Sequence, residues 1–171
     1  MGMIAEERNK KTDHLLLCAP VKVTDIVLGK YFAAISVLGI TVALSFIYPI
    51  IISIYGTMPI GRMFSCYLGF TLLWMLFISI GMFISSLTES QFIASVTTFG
   101  ILFALLMTEN FISNIPNQKL AMLITACSPI NRYNDFQLGI IFAGHIVYFL
   151  SLTALFIFLT VQNVDRKRFT D

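Results

Sequence analysis

Four stretches, residues 31–54, 64–87, 92–112 and 138–161, are almost wholly apolar, and no other feature limits the fold so strongly. Three of them contain no Asp, Glu, Lys or Arg, and 92–112 contains only Glu109. Crossing about 30 Å of hydrocarbon takes roughly 20 residues of helix. Each stretch meets that length. Unpaired backbone groups are costly in lipid, and these runs are too long for barrel strands, so each is predicted to be a helix. The expected fold is all-α, a polytopic membrane helix bundle with four predicted transmembrane helices.

Composition agrees. The chain has 171 residues, 57% hydrophobic and 12% charged, whereas soluble domains run near a quarter charged. A net charge of +2, without a basic patch interleaved with aromatics, points away from nucleic acid. Residues 1–14 are polar and lack the short apolar run of a secretion signal. Cys18, Cys66 and Cys127 lie far apart and form no C-x-x-C pair. They read as small apolar fillers rather than metal ligands.

Turn signals separate the spans. Gly56, Thr57, Pro59 and Gly61 close the first connection, and SSLTESQ at 85–91 makes a tight polar hairpin with Ser86, Thr88 and Glu89. The connection 113–137 is longer and holds Pro116 and Pro129. Arg8, Lys10, Lys11, Lys22, Lys30, Arg166, Lys167 and Arg168 fall on one side of the spans, against Arg62, Lys119 and Arg132 on the other. The positive-inside rule puts the richer side, and with it both termini, in the cytoplasm. An even number of spans requires the same. The organisation is thus a cytoplasmic segment 1–30, a transmembrane domain 31–163 with an outer loop 113–137, and a cytoplasmic tail 164–171.

Chemistry inside the spans is sparse. Glu109 lies near the outer end of its span and His145 about two turns into the last. No chain of acids or histidines crosses the bilayer, which argues against a proton-coupled carrier. Phosphate loop, H-E-x-x-H and G-x-S-x-G patterns are missing, and the aspartates fall outside the spans. No catalytic residue and no metal ligand is assigned, and any ATP chemistry belongs to another chain. Gly81/Ser85, Gly100/Ala104 and Gly139/Ala143 have the four-residue spacing that lets helices approach closely. Pro49 frees the carbonyl of Ser45 and is expected to kink the first span near its outer end.

The chain opens with its densest charge. Residues 4–18 contain no Gly or Pro and are rich in helix formers. Pro20 ends that helix, since its ring removes a donor and disfavours helix at Ala19. A second helix is expected to start with Thr24 as its cap and Asp25 in its first turn, and to run through Lys30 into the first span. The result is an elbow. On residue content alone it is either an amphipathic anchor whose lysines meet lipid headgroups or a docking surface for another protein.

The order of residues adds a resemblance. AEER…KTDHLLLCAPV…DIVLGKYFAA, then YLGF at 67–70, IGMFISSLTESQ at 80–91 and ALFIFLTVQNVDRKR at 154–168, resembles type-2 ABC (ATP-binding cassette, ABC-2) transporter permeases. The likeness is greatest to the bacterial branch of gliding-motility and related export permeases. It implies an exporter permease in the cell membrane, coupled to a separate ATPase subunit that holds ATP and Mg, and paired with a second permease copy or paralogue. The segment matching 4–20 would be the coupling helix. Glu6, Glu7, Arg8, Thr12 and Asp13 would face the ATPase, while Leu15, Leu16 and Leu17 pack against elbow and membrane. Pro20, Thr24, Asp25 and Lys30 would pass the movement on, and the 113–137 loop would dip back as short helices. Permeases of this family usually carry six spans, two ahead of the coupling segment, so a chain beginning at that segment is expected to be truncated at its N-terminus. The competing reading is a non-transporting membrane anchor or interaction protein for a cytoplasmic complex.

Overall fold

The computed structural model describes residues 23–55, 59–88, 90–112, 125 and 128–168. These form helices α1 (Val23–Ser45), α2 (Ile47–Tyr55), α3 (Ile60–Leu87), α4 (Gln91–Ile112), α5 (Pro129–Gln137) and α6 (Ala143–Arg168). Four helical runs, Val23–Ile52, Gly61–Leu87, Gln91–Thr108 and Ala143–Arg166, are long and apolar enough to cross a membrane.

α3 is the post around which the rest is built. Of its spanning window 61% is buried, against 6% for α1–α2 and 17% each for α4 and α6. Leu72, Leu73, Leu76, Phe77, Ile80 and Ile84 of α3 form the main core with Leu102, Ile130, Phe136 and Phe149. Three buried hydroxyls in these helices bond back to their own turn, Ser79 Oγ to the Leu76 carbonyl, Thr98 to Ala94 and Thr160 to Phe156, each at 2.7 Å, whereas buried Ser65 Oγ has no partner among the described residues. Those three are satisfied locally, which lets them sit in an apolar setting.

The proline kink falls where the freed carbonyl predicts it. Helix stops at Ser45, Phe46 makes a tighter turn with its N–H on the Ala43 carbonyl (3.2 Å), and helix resumes at Ile47. Pro49, buried one turn on, cannot donate to Ser45.

The last helix starts later than hydropathy suggests. Leu138 to Phe142 are apolar but not helical, and α6 begins at Ala143. The cause is a glycine stop. Gly139 takes φ +87°, its N–H meets the Phe136 carbonyl (3.1 Å), and the Ile140 N–H meets Asp135 (3.0 Å). This paired bonding is a Schellman ending for α5. His145 accordingly sits in the first turn of α6, not two turns in. Of the three small-residue pairs, Gly81 and Ser85 are buried, Gly100 and Ala104 are exposed, and Gly139 lies outside any helix.

Candidate functional site

The bundle has two distinct ends. At the first, called here the Val23 end, Val23, Val27 and Tyr31 of α1 pack with Met82 of α3 and with Ile157, Val161 and Val164 of α6. Asn163 Nδ2 donates to both the carbonyl and the hydroxyl of Ser86, at 3.0 Å each, joining the closing turns of α6 and α3.

Several residues singled out in the sequence lie at this end. α1 is already helical at Val23, so exposed Thr24 sits inside the first turn beside exposed Asp25 instead of capping it. A cap residue leaves the helical conformation, and Thr24 does not. Asp25 is placed where the helix dipole favours an anion. Half-buried Lys30 follows without a break in the helix. Ser86 is enclosed by the Asn163 contact, and Thr88 donates to the Ile84 carbonyl at 3.2 Å. Glu6, Glu7, Arg8, Thr12, Asp13, Leu15, Leu16, Leu17, Pro20 and Glu89 lie outside the described residues, as do Cys18 and Cys127.

The other end, around the Phe46 break, is built from polar contacts between elements. Tyr67 of α3 donates its hydroxyl to the Ser45 carbonyl at 2.8 Å, the acceptor that Pro49 leaves without a helical partner. Its ring stacks on Phe46, centroids 4.4 Å apart and 12° from parallel. One tyrosine thus latches the break from both sides. A step along α3, Arg62 Nε donates to the Gln137 carbonyl at 2.8 Å, and Cys66 Sγ lies 3.7 Å from the Phe136 and Gln137 carbonyls. α3 therefore supplies the donors that the last turn of α5 lacks, with a cation at the negative end of that helix.

α5 is seated by shape as well. Phe136 is fully buried and meets α3 at Gly69, where an added Cβ would fall 2.6 Å from the Phe136 Cβ. The glycine of the YLGF segment is what lets α5 lie against α3. Asp135 Oδ2 is 3.6 Å from His145 Nε2, His145 lies edge-on to Phe136 and Phe142, and the Arg132 guanidinium covers the Tyr148 ring at 4.0 Å. His145 is a packing and pairing residue, tying the start of α6 to α5.

Between the broken helix and this seat lies a cleft of about 560 Å³. Its walls include Tyr48, Pro49 and Ile52 from α2, Arg62 and Met63 from α3, and Tyr133 from α5. The volume is that of sites for small organic molecules. Arg62, Tyr67, Gly69 and Phe136 were not singled out by sequence reasoning as functional. The only signals were a charge just after a Pro/Gly turn and a glycine in one of the four segments that carry the resemblance.

An all-α bundle with four helices long and apolar enough to cross a membrane is the framework of a multi-pass membrane protein. The profile described as ABC-2 family transporter protein matches residues 1–162, and the chain belongs to that family. No curated protein and no solved structure matches it.

Proposed function

We propose that this chain is the membrane-spanning permease subunit of an ATP-binding cassette exporter, driven by a separate ATPase. On this reading both termini are cytoplasmic and the Val23 end faces the cytoplasm. The charged segment docks on the ATPase through Glu6, Glu7, Arg8, Thr12 and Asp13, with charge-assisted contacts among the stronger ones available. ATP and Mg stay on that subunit, and a second permease copy or paralogue completes the pathway.

The observation that carries the proposal is the family match over residues 1–162, which includes the charged segment as well as the spans. What supports the mechanical part is α1, one uninterrupted helix from Val23 to the Phe46 break. A push delivered just ahead of Val23 would arrive at the latched end through a rigid element.

The test is reconstitution of the full chain with an ATP-binding cassette ATPase that co-purifies with it. Charge reversal of Glu7→Lys together with Arg8→Glu should leave membrane insertion intact and lower permease-stimulated ATP hydrolysis severalfold, as expected when paired charges are turned against their partners. Unchanged stimulation rejects the docking assignment. Failure of any ATP-binding subunit to co-purify rejects the permease reading itself.

A further inference from the structure

We infer that the cleft at the Phe46 end is a binding site for an anionic phospholipid, with the phosphate on Arg62 and an acyl chain along Pro49, Ile52 and Met63. The inference deepens the permease reading by giving its cleft a ligand class, but it concerns binding and does not require transport.

The charge is one-sided. Among the described residues lining the cleft Arg62 is the cation, and no carboxylate lines it. Asp135, the nearby acid of α5, is turned to His145 instead. Arg62 spends its Nε–H on the Gln137 carbonyl. That bond fixes the guanidinium plane, and the two Nη groups carry the pair of N–H donors that match a phosphate in fork geometry. A lysine at this position would not hold such a plane.

The remaining walls suit a chain rather than a soluble anion. Pro49, Ile52, Pro59 and Met63 are apolar, and exposed Tyr48 and half-buried Tyr133 flank them. Tyrosines mark the depth at which headgroups meet hydrocarbon. The cleft lies beside Ile52 and Gly61, where one membrane-length run ends and the next begins, which is the depth that such tyrosines would mark. A headgroup at Arg62 would leave its acyl chain pointing along the apolar side of α2, toward hydrocarbon. A free phosphate would satisfy Arg62 and leave the apolar walls unused.

The experiment uses the full chain with Cys18→Ser and Cys127→Ser, so that Cys66, which lines the cleft, is the sole thiol. The protein is placed in phosphatidylcholine nanodiscs with increasing phosphatidylglycerol. Retained lipid is counted by native mass spectrometry, and the Cys66 labelling rate is followed with an impermeant maleimide. The expected result is preferential retention of one phosphatidylglycerol and slower Cys66 labelling as its fraction rises. Arg62→Gln should raise the phosphatidylglycerol needed about tenfold, the size expected for loss of one charge-assisted contact of about 1.4 kcal/mol. Ile52→Glu, which leaves the Arg62–Gln137 bond in place, should abolish the preference by putting a charged group on the wall that the acyl chain follows.

Equal retention of the two lipids overturns the inference, as does indifference to both substitutions. Protection of Cys66 by glycerol phosphate alone overturns the amphiphile in favour of a soluble anion. None of these outcomes depends on an ATPase partner, so the site and the permease reading fail separately.

Discussion

The two ends of the bundle hold the same helices by different physics. At the Val23 end, aliphatic side chains from α1, α3 and α6 interlock, and one amide, Asn163, closes the joint. At the Phe46 end, helices are interrupted by Pro49 and Gly139, and the gaps are closed by directional contacts from Tyr67 and Arg62. Interlocking aliphatics tolerate small shifts and lose stability gradually. Directional contacts are either made or broken, which suits the end that also contains a cleft.

The sharpest way to break that contrast is to unseat α5. Phe136→Ala removes a fully buried ring from the core and should cost about 3–5 kcal/mol, the range for such truncations, read as a fall in unfolding temperature in detergent. Next comes Gly69→Ala. The clash is with Cβ and Cγ of Phe136, which cannot swing away like a side-chain tip, so overpacking of about 1–3 kcal/mol is expected. Gly100→Ala is its control. Nothing lies within 4 Å of the added carbon, and stability should hold or rise by up to about 1 kcal/mol through helix propensity.

A smaller effect tests the latch. Tyr67→Phe leaves the Ser45 carbonyl without its donor and should cost about 1 kcal/mol. Pro49→Ala restores the helical N–H to that carbonyl, so Tyr67→Phe in the Pro49→Ala background should cost less. A double-mutant cycle in urea reads the difference, and additive costs would show that the hydroxyl and the proline are unrelated. The smallest expected change is at the opposite end. Asn163→Leu removes two bonds to Ser86 but leaves the aliphatic cluster, and about 0.6 kcal/mol is the usual size for such contacts between membrane helices.

Much of the framework was readable from residues 31–161 because spanning a bilayer demands length and apolarity, and both are local. The Pro49 break was readable for the same reason, since a missing N–H acts on a carbonyl four residues back. Tyr67 was not, because its acceptor is 22 positions away and nothing local distinguishes it from other tyrosines near a membrane surface. The start of α6 was misplaced because Leu138, Ile140, Ile141 and Phe142 carry the same hydropathy as a span, and the positive φ at Gly139 that excludes them from helix leaves no trace in hydropathy. Gly69 could be noticed within YLGF, but its reason, the approach of Phe136, requires knowing where α5 returns.

The mounting of α1 has a mechanical consequence. Its buried residues are Val23, Val27 and Tyr31, and its other fixture is the Tyr67 latch at Ser45. Between them Ile35 still packs against the first support, while Ser36, Val37, Gly39, Ile40, Thr41, Ala43 and Leu44 are exposed. Tyr31 and Ser45 are about 21 Å apart along a helix rising 1.5 Å per residue, so the helix is a beam resting on two supports with an open middle. Lifting one support tilts the beam about the other. A tilt of about 10° about Phe46 carries the Val23 end, about 34 Å away along the axis, through about 6 Å, while a side chain at the pivot hardly moves.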